Sequence, residues 1–444
     1  MTTTYDPFDA TYFEESDLRA EMTRVFDHCS GCRLCFKFCE SFPSLFSFID
    51  AHEDQDAAKL TVEQQNQVVD ECFNCKLCYV NCPYTPDLHE WNLDFPRLML
   101  RAEQVLHQNR KQPLRHKLAD KALANTDLIG SVNTKAAPLV NKALSKPGGK
   151  IRLLVEKTIG ISAQRVLPPY ARQRFSTWFK KHDTALGRPH QATAVLFPTC
   201  IVEYQDAGTG HDMVKVYEHN GIKCNLPEGE VCCGAPYLHH GDVDSFRKHA
   251  SKNIDVISEA LKAADDARAD GDPEAVVVVP QPTCGYVLKH DYVDYVGGAK
   301  AELVASRTRD AAEYLVEVNK TEGLELDTQF PGEVPVTITY HAPCHLRAQN
   351  IGLKSRDLLK LTGAKVKVVA ECSGIDGTWG LKERNFDMAR GVASKMAKAI
   401  DSAGSDIVAG DCSLANGGIQ LETGDQPVHP LQIVARAYGI AKES

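Results

Sequence analysis

Cys29-Ser-Gly-Cys32-Arg-Leu-Cys35-Phe-Lys-Phe-Cys39 and Cys72-Phe-Asn-Cys75-Lys-Leu-Cys78-Tyr-Val-Asn-Cys82-Pro83 decide how this chain is read. The first run has the spacing C-x2-C-x2-C-x3-C, and the second repeats it with a proline after the last cysteine. This is the spacing that holds cubane iron–sulfur clusters: three thiolates wrap a short loop around one corner, and the fourth is carried off to the other cluster. Cluster one is therefore expected on Cys29, Cys32, Cys35 and Cys82, and cluster two on Cys72, Cys75, Cys78 and Cys39, both of the [4Fe-4S] type. Structural zinc is the competing use, but it is normally built from two cysteine pairs across a longer loop, whereas each run crowds four thiols into a few residues. One departure stands at the exit of the first run, where Glu40 follows Cys39 and the proline comes only at Pro43.

Around the runs, Glu14 to Asp27, Thr61 to Glu71 and Trp91 to Leu106 show no strand alternation and predict helices. Residues 1–104 thus read as a helical two-cluster ferredoxin domain. The chain of 444 residues, 43% apolar and 25% charged, is long enough for two or three domains with real cores, which excludes disorder and a disulfide-stapled miniature. Half of its sixteen cysteines lie between Cys29 and Cys82. The start has no basic and then apolar leader, so reduced thiols and a cytoplasmic setting are expected. No apolar stretch approaches the length of a membrane span.

The net charge of −9 conceals three parts: residues 1–104 carry −11, residues 105–190 carry +13, and residues 191–444 carry −11. The basic part interleaves its charges with apolar residues such as Ile151, Leu153, Leu154 and Val155. It reads as a helical segment that either docks on an anionic membrane surface or an acidic partner, or simply links domains with solvated faces. Nucleic acid is not expected, because no recognition motif accompanies the charge and both flanks are acidic.

Beyond residue 190 the chain repeats itself. Thr193-Ala-Val-Leu-Phe-Pro-Thr-Cys200 returns as Val336-Thr-Ile-Thr-Tyr-His-Ala-Pro-Cys344. A strand-like run leading to Cys232-Cys233-Gly234 returns before Cys372-Ser373-Gly374, each followed by a long amphipathic helix, near Asp242 to Asp265 and Lys382 to Ala403. Ala275-Val-Val-Val-Val-Pro-Gln-Pro-Thr-Cys284 matches Asp406-Ile-Val-Ala-Gly-Asp-Cys412. Three cysteine stations in one order, twice, make an internal repeat. Strands separated by helices imply parallel α/β layers, whose sites form at the carboxyl ends of strands. Cys200, Cys232, Cys233 and Cys284 should converge in copy one (residues 191–330), and Cys344, Cys372 and Cys412 in copy two (residues 331–444). Cys224, inside a strand and without a counterpart, reads as a small buried hydrophobe. The fold expected is α plus α/β: the helical ferredoxin domain, then a duplicated cysteine-rich α/β domain.

The two ferredoxin runs, the Cys-Cys-Gly station, His341-Ala-Pro-Cys344-His-Leu-Arg-Ala, Gly377-Thr-Trp-Gly-Leu-Lys-Glu-Arg-Asn and His429-Pro-Leu-Gln-Ile-Val-Ala together resemble the cysteine-rich family of iron–sulfur subunits. That family includes the iron–sulfur subunits of anaerobic glycerol-3-phosphate dehydrogenase, heterodisulfide reductase and glycolate oxidase. The resemblance implies a subunit that passes electrons between a flavoprotein dehydrogenase and a quinone pool or another acceptor; the +13 segment separately leads to the expectation of peripheral attachment at the cytoplasmic face of a membrane. It also implies that the repeats hold a further iron–sulfur centre or a disulfide-handling site. Against the family pattern, Val287 stands where the last station of copy one would place its second cysteine, Ser373 replaces the second middle cysteine, and Ala415 the terminal one. Copy one keeps four thiols for a third centre. Copy two keeps three, and either recruits an oxygen, His341 or His345, or is empty.

Neither Gly208-Thr-Gly210 nor Gly148-Gly149-Lys150 completes a dinucleotide or phosphate-binding motif, so no NAD, FAD or nucleotide site is expected. Substrate oxidation then belongs to another polypeptide, and this chain is part of an oxidoreductase complex with no catalytic residue assigned. Two other functions compete: a thiol–disulfide reductase working at copy one, and a redox-sensing scaffold.

Overall fold

The computed structural model describes residues 5–109, 113–375 and 377–440. The first part is helical: α1 (Glu15–Cys32), α2 (Ser41–Asp50), α3 (Val62–Asp70), the short α4 (Leu77–Val80) and α5 (Phe95–Asn109). In α1 the stripe Leu18, Met22, Val25 and Phe26 recurs at helical spacing and is fully buried against Phe42 and Phe46 of α2 and Leu98 and Met99 of α5. Thr61 begins α3 with a reciprocal capping box to Gln64. The helix α1 runs past the expected Asp27 because Arg33, in the left-handed conformation at φ 56°, closes it only after Cys32. The helix α5 starts later than Trp91, where Asp94 accepts the Arg97 N–H at 2.9 Å and Pro96 occupies the first turn.

The basic segment contains α6 (Leu114–Ala124), α7 (Thr126–Lys135), α8 (Ala137–Leu144) and α9 (Lys150–Ile159). Two of its charges are not surface charges. Arg152 is 1% exposed and donates to the carbonyls of Leu144, Ser162 and Arg165. Arg165, equally buried, donates through Nε to the Gly380 carbonyl at 2.7 Å, and the Ser162 N–H reaches the Leu381 carbonyl at 2.8 Å. The segment is thus stitched to copy two as well as being a surface.

Copy one is a parallel sheet in the order β2-β1-β3-β4, from β1 (Ala192–Leu196), β2 (Ile222–Asn225), β3 (Val276–Val279) and β4 (Thr308–Asp310). Copy two repeats the arrangement as β6-β5-β7, from β5 (Thr337–His341), β6 (Lys365–Val369) and β7 (Ile407–Gly410). The register pairs Ala194 with Val276 in the first and Ile338 with Ile407 in the second. Every residue of β3 is buried, as expected of a parallel strand covered on both faces. The long helices of the repeat are Val243–Asp266 and Phe386–Ala403, the second preceded by short 3-10 turns that cover the expected start at Lys382. Among the described residues no helix is long and apolar enough to cross a membrane.

Candidate metal centres

The two N-terminal runs share one backbone feature on different supports: Cys29 and Cys32 end α1, whereas Cys72 and Cys75 lie in a loop that leads into α4 with Cys78. Arg33 and Lys76 hold equivalent places in Cys-x-x-Cys-x-x-Cys, and both take the left-handed conformation, at φ 56° and 62°. Asn74 joins them at φ 53°; asparagine is among the residues that tolerate this region. These reversals fold the chain back so that its sulfurs share one side.

The cysteines meet across the runs. Cys29 has Cys35, Cys82 and Cys32 as its electrostatic neighbours, while Cys78 has Cys75, Cys35, Cys72 and Cys39. Cys82 thus stands with Cys29, Cys32 and Cys35, while Cys39 stands beside Cys78 and also beside Cys35 of its own run. Backbone N–H groups point at the sulfurs: Asn74 to Cys72 at 3.4 Å, Tyr84 to Cys82 at 3.4 Å, and Ser41 and Phe42 of the α2 start to Cys39. Such bonds orient thiolates and tune the potential of a cluster they hold.

The donor chemistry fits a cationic centre. Burial, then crowding by Cys82, Cys32 and Cys39, pushes the Cys35 thiol up to about 12, and burial pushes Cys39 up to about 11. Without a positive charge among them these sulfurs keep their protons, whereas a coordinating metal deprotonates a thiol outright. Among the described residues no group of three or more His, Cys, Asp or Glu is arranged to hold a single metal ion.

In copy one all three stations converge. Cys232 has Cys200 and Cys233 as its nearest electrostatic neighbours, and Cys233 has Cys232 and Cys284. Station one is approached through Thr199, a β-branched residue at φ 70°, a strained conformation of the kind kept at functional sites. Station two ends at Gly234 because φ 92° and the Phe246 ring, 2.7 Å from where a Cβ would lie, admit no side chain. Cys200 and Cys232 line a cleft of about 460 Å³, while Cys233 and Cys284 are buried behind it. One residue here was not anticipated from the sequence: Asp127 of α7 accepts the Cys232 N–H at 2.8 Å. Its signal was present, since it is one of only four acidic residues in the basic segment.

In copy two Cys344, Cys372 and Cys412 line one small cavity with His341, Ser373 and Ala415. The Gly374 N–H lies 3.3 Å from the Cys372 sulfur, repeating the bond that Gly234 makes to Cys232. The two imidazoles considered as substitutes differ. His345 has both nitrogens engaged, Nε2 with the Asn74 carbonyl at 3.0 Å and Nδ1 with Thr283 Oγ1 at 2.9 Å. His341 bonds the Glu371 carbonyl through Nε2 at 3.0 Å and keeps a buried Nδ1 without a partner. Cys224 lies in the apolar core of copy one, away from the stations.

His345 also joins the three units. Asn74 belongs to the second cysteine run, Thr283 precedes Cys284, and His345 follows Cys344, so one buried ring touches the neighbourhood of all three sites. Burial, with Lys76 near, pushes this imidazole down to about 4, which makes it neutral: Nε2–H donates to Asn74 and Nδ1 accepts from Thr283. Beside it, Lys76 is 4% exposed and lies over the Tyr286 ring, 5.0 Å from its centre. Phe73 packs on Trp379, whose Nε1–H donates to the Asp70 carbonyl at 2.8 Å.

Residues 194–289 and 338–415 match the model of the cysteine-rich CCG domain, in line with the sequence resemblance. The chain is 29% identical over 329 residues to an anaerobic glycerol-3-phosphate dehydrogenase subunit of Escherichia coli, covering 73% of this chain and 78% of that one. It is also similar to an uncharacterized iron–sulfur protein of Methanococcus maripaludis, at 24% identity over 59% of this chain and 47% of that one. A fumarate reductase (CoM/CoB) subunit of Methanothermobacter marburgensis is 26% identical over 49% of this chain and 39% of that one.

Proposed function

We propose that the protein is the iron–sulfur electron-transfer subunit of a dehydrogenase complex, carrying two [4Fe-4S] clusters on the N-terminal runs and passing electrons between a flavoprotein dehydrogenase and a quinone or protein acceptor. The observation that carries this reading is the junction at His345, where the second run and both cysteine-rich copies come into contact. Iron–sulfur clusters supply one-electron chemistry. The chain's own residues hold the sulfurs in place and fix the relative positions of the sites. The similarity to dehydrogenase and reductase subunits supports the same role. In the complex with its dehydrogenase, Cys75→Ser is expected to bring turnover to the natural acceptor down to background while the dehydrogenase still reduces an artificial dye. Undiminished turnover would favour a scaffold instead.

A second reading has its own observation. The cleft over Cys200 and Cys232 gives a substrate access to copy one, which suits a heterodisulfide-type reductase working at a third centre on Cys200, Cys232, Cys233 and Cys284. Copy two, with three thiols and His341, is the poorer site.

Membrane attachment belongs to the proposal. Leu114, Leu118, Leu128, Val132, Leu139 and Leu154 of α6 to α9 are all exposed within the +13 segment. Exposed leucines among lysines suit the headgroup boundary of an anionic bilayer, with peripheral rather than spanning association. Co-sedimentation with phosphatidylglycerol-containing vesicles should fall several-fold on raising salt from about 0.05 to 0.5 M as screening tightens, and again in a Leu114→Ser, Leu118→Ser, Leu139→Ser variant. Absence of binding at every salt concentration returns the segment to a linker.

A further inference from the structure

Beside the second cysteine run lies a cavity of about 180 Å³ that ends on Cys72 and that neither the cysteine spacing nor the CCG match accounts for. Its apolar wall is Trp379, whose ring lies 4.4 Å from that of Phe73. Its polar wall contains unmet hydrogen-bonding capacity. His240 is 8% exposed, shares its Nε2 with Thr378 Oγ1 at 2.7 Å, and has a buried Nδ1 with no partner; the buried Nε2 of His239 likewise has none. Buried nitrogens left in this state are rare in folded proteins and point to a missing ligand or water. Lys382 adds a buried cation, paired with Asp120 at 2.8 Å.

The lining selects the ligand. Asp70, Glu103 and Asp120 are set against Lys382 and Arg384 around it, so the lining carries no surplus of positive charge for an anion and suits a neutral ligand. A neutral ring stacks on an indole face, and oxygens on its rim accept hydrogen bonds from imidazole. The volume is below the roughly 300–1,000 Å³ of sites for drug-sized molecules, so it takes a ring system and not a tail. The helix α6 shapes the entrance: His116 and Asp120 line the cavity, whereas Leu114 and Leu118, about 200° around the helix, are exposed on the proposed membrane face.

Resting on the electron-transfer reading above, we propose that this cavity is the binding site for the head group of a quinone, walled on one side by α6 and seated within contact of the second cysteine run. Trp379 stacks the ring, and His240 and His239 bond its carbonyl oxygens. Conversion of the quinone to the hydroquinone takes two electrons, which come from the substrate oxidised by the dehydrogenase, and two protons, which come from water. Glu103 at the cavity wall is placed to pass them, its carboxyl pushed up to about 7 chiefly by burial, with Asp70 raising it and Lys382 and Arg384 opposing.

The test is equilibrium binding of menadione, a tail-less quinone, to the iron-loaded protein by calorimetry, with iron content and visible absorbance as the check on the clusters. One saturable site per chain is expected. Affinity should fall about ten-fold in His240→Phe, which keeps a ring and loses the nitrogens, and by less in Thr378→Val. Glu230→Gln, in the separate cleft beside Cys200, should change nothing. No saturable binding, or equal affinity in both variants at full iron content, overturns the site; if His240→Phe loses iron, Thr378→Val decides. A protein that retains its iron and passes electrons to a dye but binds no quinone overturns this inference and leaves the electron-transfer reading standing, whereas absence of iron removes the reading itself.

Discussion

Replacing Cys39 with alanine is expected to remove the iron–sulfur centre of the second run, not that of the run in which Cys39 sits. Cys39 faces Cys78 and takes N–H bonds from the first turn of α2, while Cys82 stands among Cys29, Cys32 and Cys35. Iron should drop by about four per chain, and the remaining paramagnetic signal should match that of Cys72→Ala and differ from that of Cys29→Ala. If Cys39→Ala instead copied Cys29→Ala, each run would hold its own cluster and the crossed geometry would be irrelevant to ligation. The fold should survive, since the α1, α2 and α5 stripes that build this core do not include Cys39 as a helix residue.

Cys233→Ser should have the second large effect, and in a different place. Cys233 is 2% exposed and has Cys232 and Cys284 as its electrostatic neighbours in the group of four thiols. The change should abolish a third centre and any reduction of a small disulfide, while both N-terminal cluster signals persist. The two outcomes separate the proposals: loss of disulfide reduction with intact N-terminal signals supports a reductase at copy one, and unchanged chemistry dismisses it. Copy two offers a control, since Cys372→Ser removes one of only three thiols there and should alter far less.

Much of this was legible in the residues because spacing is local chemistry. A thiol every third residue dictates a loop, and a strand-like run ending in cysteine, repeated in order, dictates where stations fall on a parallel sheet. The order β2-β1-β3 and its repeat β6-β5-β7 place the stations at equivalent strand ends. What spacing does not carry is partnership across long separations. Asp127 lies 105 residues from Cys232, and Asn74 lies 271 from His345. Counting charge in the basic segment leaves out the same kind of partnership: Arg152 and Arg165 add to the charge and also serve as buried donors to carbonyls that would otherwise lack partners. The more telling residues there were the few acids. Asp120 pairs with Lys382, Asp127 accepts from Cys232, and Glu156 accepts the Ala163 N–H at 2.7 Å. An acid in a strongly basic stretch calls for a partner, and that pattern is readable without a structure. The start of α5 and the end of α1 moved for local reasons, a capping aspartate and a left-handed arginine.

The measurement that tests the central claim most directly is iron and acid-labile sulfide per chain after anaerobic purification, taken with the paramagnetic signals of the reduced protein. Two cross-ligated [4Fe-4S] clusters predict about eight irons and eight sulfides, more if copy one is filled, with two interacting signals. Zinc in place of iron, or markedly fewer than eight irons in a protein whose sixteen cysteines are intact, would contradict the account.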